Sequence, residues 1–392
     1  MKRLLGIGIL IISAAPGVSG CGDAPSWEEV NEAAKEAHQD GRIEEAGPLF
    51  RRALELAQAA DAPSSQLVMS LNNLAEFERG QGRVHEAILY YLRALEIQES
   101  QPDADPLKLA SSYSNLALHY QGIDDLAQAS ALLRKALASR EQALGSEHPD
   151  VADSLNNLGT TLLLQGRVSQ AEALFERAIE IMRGSLLADH PNLAMALTNL
   201  AQARAAQRDY ARAEELYRQA ITTWERNSGK DSVRVAMGQS NLALVLQQQG
   251  KLEQAEKLYG DALATLERRL DDDPEVANLL NSLGRICRHQ QRYEEAEAYY
   301  LRSVEILERA LGPQHRDLAT GLFNLARVYE EQELHDKAQP LYERSVGMFE
   351  ATLGPEHPDL AVVLERYASL LHKLDRTAEA ERLAARANSL RD

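Results

Sequence analysis

Cysteine is nearly absent from this chain, with only Cys21 and Cys287 among 392 residues. A disulfide framework is therefore excluded as its organising device. Aromatic residues make up 5% of the sequence against an apolar share of 44%, so Ala and Leu supply most of the surface available for burial. A core of that composition is built by helices in close contact. Basic residues are outnumbered by acidic ones, 42 to 59, giving a formal charge of −17. That deficit argues against nucleic acid as a partner, because phosphate recognition needs clustered Lys and Arg. Catalytic signatures are missing as well. His85-Glu86 begins like a zinc-protease motif, but Leu89 stands where the second His would be, and neither G-x-S-x-G nor G-x-x-x-x-G-K-[ST] occurs. No catalysis, cofactor, metal or small-molecule substrate is expected.

The N-terminus reads differently from the rest. Lys2 and Arg3 precede an uncharged apolar run from Leu4 to Ala15, and the small residues of "VSGC" close the segment at 18–21. This is the pattern of an export signal over residues 1–20. It resembles a bacterial lipoprotein signal, which implies lipidation of Cys21 as the first mature residue. An ordinary cleaved signal or an uncleaved membrane helix is the alternative, though the run is short for a span. Loss of Lys2 and Arg3 would take the formal charge from −17 to −19, so attachment to an anionic leaflet would rest on acyl chains rather than electrostatics. Residues 21–26 form a short linker, and Gly22 is not the Asp that resembles an inner-membrane retention signal. The expected location is the bacterial envelope outside the cytoplasm, on the periplasmic face of the outer membrane, with the inner membrane as the alternative.

From Trp27 to the C-terminus the chain repeats. Asn73, Asn115, Asn157, Asn199 and Asn241 are each 42 residues apart and each precedes Leu, as does Asn324. A fixed period of this length marks a repeat architecture. In residues 148–181, Val151, Leu155, Leu158 and Leu162 give one amphipathic helix ended by Gly166-Arg167, and Ala171, Leu174, Phe175 and Ala178 give a second. His148-Pro149-Asp150 suits a helix start, and comparable openings stand at His190 and His357. A second column confirms the period independently: Ala46, Ala87, Ala129, Ala171, Ala213, Ala255, Ala296, Ala338 and Ala380 follow one another at 41 or 42 residues. Four residues after each comes a large side chain, from Phe50 to Tyr342, until Ala384 breaks the series. Nine helix pairs over residues 27–392 are expected, with His148, His190, His315 and His357 as helix-start residues rather than metal ligands and Cys287 as a buried thiol.

Leu-Ala or Leu-Gly in the first helix, followed by Ala, an aromatic and a small residue in the second, resembles the tetratricopeptide repeat. The 42-residue period and "LGPEHPDLA" at 353–361 resemble the longer kinesin-light-chain variety. The resemblance implies an all-α, right-handed superhelical solenoid whose first helices line a concave groove for a peptide or partner helix. Glu32, Ser282 and Arg366 depart from the pattern by replacing the anchor Asn.

Asn73, Asn115, Asn157, Asn199, Asn241 and Asn324 fall on one helix face, and a carboxamide both donates and accepts. Such a ladder either grips the main chain of an extended ligand or ties neighbouring helices together. Met69, Leu118, Met195, Met237 and Leu244 accompany it in earlier repeats, whereas Arg285, Arg288, Arg327 and Arg366 lie near the same face in later ones. An extended partner, apolar at one end and acidic at the other, is the implied occupant; Arg288 and Arg327 are alternatively paired with Glu330 and Glu331. The chain is thus read as a lipid-anchored scaffold for protein or peptide binding. The competing reading is a structural subunit of an envelope or secretion complex that uses convex faces and ends.

Overall fold

The computed structural model describes residues 25–59, 61–185, 190–270 and 273–391. The leader and Cys21 lie outside the described residues. Every helix or strand among the described residues is an α-helix, and the helices fall into two compact units divided between Ile123 and Asp124. The first unit contains α1 (Trp27–Gln39), α2 (Ile43–Ala57), α3 (Ser64–Gly80), α4 (Val84–Glu99) and α5 (Pro106–Gly122). The second contains α6 (Leu126–Leu144), α7 (Pro149–Leu164), α8 (Val168–Gly184), α9 (Pro191–Ala206), α10 (Tyr210–Ser228), α11 (Val233–Gln248) and α12 (Leu252–Glu267). It continues through α13 (Pro274–His289), α14 (Tyr293–Leu311), α15 (Arg316–Glu331), α16 (His335–Leu353), α17 (Leu360–Lys373) and α18 (Thr377–Ser389).

The pair α7–α8 shows why these residues fold as they do. Pro149 occupies the first helical turn, where its missing N–H costs nothing. The His148 imidazole caps the turn, its Nδ1 accepting from the Asp150 N–H at 3.2 Å. Val151, Leu155, Leu158 and Leu162 recur at helical spacing and are all buried. Gly166 then takes φ +73°, and the chain reverses into α8, where Ala171, Phe175 and Ala178 are fully buried. Helix α7 comes so close that a Cβ on Gly159 would stand 2.5 Å from Phe175 Cε1. The whole Ala column from Ala46 to Ala380 is likewise buried, as are the large residues from Phe50 to Tyr342; Ala384, which ends that series, is only partly covered.

Each helix packs on the next within its unit, and the two helices of a repeat pack most extensively. First helices also meet directly, α1 with α3 in the first unit, and α7 with α9 and α13 with α15 in the second. Residues 42 positions apart thereby become lateral neighbours, and a column in the sequence becomes a row on a surface. His190, His315 and His357 cap as His148 does, each Nδ1 accepting a backbone N–H two residues on at 3.2 Å. After His357 the helix itself begins later, at Leu360.

Candidate ligand-binding face

The anchor asparagines divide into two chemical groups. In the first unit, Asn73 donates through Nδ2 to Asn31 Oδ1 at 2.8 Å, joining α3 to α1. In the second, Asn199 donates to Asn156 Oδ1 at 2.9 Å and Thr160 Oγ1 at 3.2 Å, joining α9 to α7. These two are consumed in tying helices together. Asn115, Asn157, Asn241 and Asn324 make no side-chain hydrogen bond among the described residues, and Asn115 and Asn157 are exposed. The acceptors Asn31 and Asn156 belong to a column one residue before the anchors that the sequence reading overlooked. The doubled Asn of "NNL" at 72–73 and 156–157 was its only signal.

In the first unit, Asn73 opens onto a cavity of about 410 Å³ walled by Val68, Met69, Asn72, Gln98, Gln101 and Lys108, together with Ser64 and Ser65. Asn115 lines a smaller one of about 150 Å³ with Asn72, Glu76, Tyr91, Gln98 and Ser112. Beneath it, Tyr91 donates to Glu76 at 2.6 Å and the His119 ring stacks on Tyr91 at 4.5 Å. Burial lowers the proton affinity of His119, with Glu76 opposing that shift. Met69 and Leu118 are exposed on this unit's first helices.

In the second unit, Met195, Met237 and Leu244 are 42–45% exposed, a high value for side chains of their size. Asn324 lines a cavity of about 220 Å³ between α13 and α15, with Asn278, Asn281, Ser282, Arg285, Asp317 and Thr320. Arg285 donates to Gln247 Oε1 at 3.1 Å. Arg288 is tied to Glu331, while Arg327 lies 4.0 Å from the same carboxylate and 5.8 Å over the Phe323 ring. Burial, and then the charges of Arg288 and Arg366, lower the basicity of Arg327. Arg366 is exposed and has no ion pair among the described residues. Among the described residues Glu330 does not pair with an arginine. It is buried, where it accepts from Tyr342 at 2.7 Å and Lys373 at 2.9 Å.

Cys287 is fully buried, and burial pushes its thiol up to about 11, which leaves no thiolate at neutral pH. Among the described residues no group of three or more His, Cys, Asp or Glu side chains is placed to hold a metal, and no helix is long and apolar enough to cross a membrane.

No curated protein is similar enough to match the chain. Among solved structures, repeats named for a kinesin light chain of Podosopora anserina share 24% identity, covering 51% of this chain and 95% of theirs with a TM-score of 0.45. A tetratricopeptide repeat protein from Parabacteroides merdae shares 18% identity over 71% of this chain and 93% of its own, with a TM-score of 0.52. The quorum sensor NprR of B. thuringiensis shares 14% identity over 82% of this chain and 86% of its own, with a TM-score of 0.62. The last two likenesses are likenesses of fold. The tetratricopeptide repeat model itself matches seven times, over residues 34–100, 108–184, 165–226, 192–268, 234–308, 275–351 and 317–391, and the chain belongs to the tetratricopeptide repeat family.

Proposed function

We propose that this protein is a non-catalytic scaffold that holds an extended segment of a protein or peptide partner on the first-helix face of its second unit. The observation that carries the reading is the unused hydrogen-bonding capacity of Asn157, Asn241 and Asn324, on the helix face that also exposes Met195, Met237 and Leu244. Carboxamides can bond a ligand main chain whatever its sequence, and flexible Met side chains adapt to varied apolar groups. Arg285, Arg327 and Arg366 favour acid in the ligand segment beside α13, α15 and α17. Asn199 belongs to the structure of the face, since its donors are already engaged.

The scaffold is held at the bacterial envelope by lipid on Cys21, as the leader pattern implies. One fractionation experiment tests both parts. Cys21→Ser should abolish acyl labelling and release the protein from membranes. Asn157→Ala with Asn241→Ala should keep helicity and melting temperature while weakening capture of the envelope partner at least about fivefold, since each lost bond is worth roughly 0.5–1.5 kcal/mol. Undiminished capture by the double variant would move the contact to convex faces or ends, as expected of a structural subunit of an assembly.

A further inference from the structure

A repeating ion pair joins the second helices of the second unit. Glu141 on α6 meets Arg177 on α8 at 2.8 Å, Glu267 on α12 meets Arg302 on α14 at 2.5 Å, and Glu308 on α14 meets Arg344 on α16 at 2.5 Å. Glu350 on α16 is paired with Arg386 on α18 in the same way. In the sequence these pairs are two columns with the repeat's period of 41 or 42 residues, and both break around α10. The acidic column reads Glu141, Arg183, Glu225, Glu267, Glu308 and Glu350. The basic column reads Arg177, Gln219, Asp261, Arg302, Arg344 and Arg386.

Between α8 and α10 the rung is therefore Arg183 facing Gln219, and the guanidinium donates to the amide Oε1 at 3.1 Å. Among the described residues Arg183 meets no carboxylate. At this rung a cavity of about 620 Å³ opens between α8 and α10, with Leu193 and Leu197 of α9 at its base and Arg183, Gln219, Thr222 and Thr223 in its walls. Both threonine hydroxyls donate to carbonyls of α10 itself, at 2.9 and 3.1 Å, so they require nothing of a ligand. Thr223 stands where Ile181, Ile306 and Met348 stand in other repeats, and the smaller side chain leaves room. Arg218 also borders the cavity but is held by Glu214 at 2.9 Å. Leu193 and Leu197 lie about 200° around α9 from Met195 and Asn199, which puts the cavity on the side away from the asparagines.

The intact rungs indicate the chemistry of the ligand. There a carboxylate meets the guanidinium, whereas Arg183 has only a neutral oxygen, and an ionised acceptor makes the stronger bond. Beside that cation, the leucine base and the aliphatic stems of the wall side chains suit an apolar body. The volume falls within the roughly 300–1,000 Å³ of small-ligand sites.

We propose that this cavity binds a small amphiphilic monocarboxylate, its carboxylate taking the place of the Gln219 amide on Arg183 and its aliphatic body lying over Leu193 and Leu197. The site is separate from the first-helix face and does not depend on what that face holds.

The test is calorimetric titration of the full chain with octanoate, octanamide and acetate. Octanoate is expected to bind, octanamide at least about tenfold more weakly for want of the charge, and acetate at least about tenfold more weakly for want of the chain. These comparisons use the unaltered protein, so no folding defect can imitate them. Arg183→Gln should erase the difference between octanoate and octanamide. Arg183→Glu with Gln219→Arg rebuilds the rung of the other seams, so this variant should melt no lower than the parent while losing octanoate. Asn157→Ala with Asn241→Ala should leave octanoate binding unchanged, which separates this cavity from the partner contact. No binding at millimolar octanoate, binding of octanamide or acetate as tight as that of octanoate, or full octanoate binding by the rebuilt rung overturns the proposal.

Discussion

Gly159 and Phe175 show how much a single repeat position can carry. A methyl group on Gly159 would meet the ring at 2.5 Å, and the ring is fully buried with no room to retreat. Alanine improves helix propensity by up to about 1 kcal/mol, but overpacking costs about 1–3 kcal/mol, so the steric term wins. Gly159→Ala should lower the melting temperature. Gly260, inside α12, has nothing within 4 Å of the same methyl group, and Gly260→Ala should raise stability by roughly 0.5–1 kcal/mol. Thermal melts of the two variants should shift in opposite directions; equal shifts would show that α7 and α8 do not approach as described. The sequence alone marks both positions only as glycine in a helix. Space around the residue separates them, and that space is made by a side chain from another helix.

At the scale of the element, the turn inside each pair repeats as strictly as the core does. Gly41, Gly82, Gly166 and Gly250 have positive φ, and so do Asp124, Arg208, Gln291, Glu333 and Asp375 at the corresponding places. A residue with a Cβ loses about 1–2 kcal/mol in this conformation, short acids somewhat less. Glu333→Gly relieves that cost and gives back roughly 0.5–1 kcal/mol to the greater freedom of the unfolded chain. A net gain of about 0.5–1 kcal/mol is expected in denaturant unfolding, larger than for Asp375→Gly, because Asp tolerates left-handed backbone. Gly166-Arg167 was legible as a helix stop. The equivalent role of Glu333 was not, because its side chain suits a helix interior and only the packing of α15 on α16 forces the reversal.

For the whole molecule, acid should remove stability in two stages. Burial depresses the proton affinity of His119, so the folded first unit favours the neutral ring. That contribution is complete above the unfolded value near 6.5 and declines as pH falls below it. In the second unit Lys251, hydrogen-bonded at 2.8 Å, holds Glu214 down to about 2, with Arg218 assisting against the cost of burial. This contribution is complete above about 4.5 and is lost as pH falls toward 2, amounting to about 2–3 kcal/mol. Asp153 acts oppositely, since burial raises its value and folding eases as it protonates. Melting temperatures from pH 7 to pH 2.5 should show a steeper acid limb for the parent than for Glu214→Gln. Superimposable limbs would show that the Lys251 contact contributes nothing.

Apolar spacing and the recurrence of small residues can be read from one strand of sequence, because they report what each helix needs before any neighbour is placed. They determined the helix pairs, their period, the buried Ala column and the buried Cys287. They also placed six asparagines at one rotation of their own helices, since a 42-residue period returns each to the same register. They did not determine what each carboxamide does. Asn199 is engaged because Asn156 lies within 2.9 Å on α7, while Asn241 has no such partner among the described residues. Glu330 lies buried against Tyr342 and Lys373, while Glu331, one residue on, meets Arg288. Adjacent residues point to different helices, and which groups remain open to a ligand depends on distances of about 3 Å between side chains some 40 residues apart, which only the stacking of the helices decides.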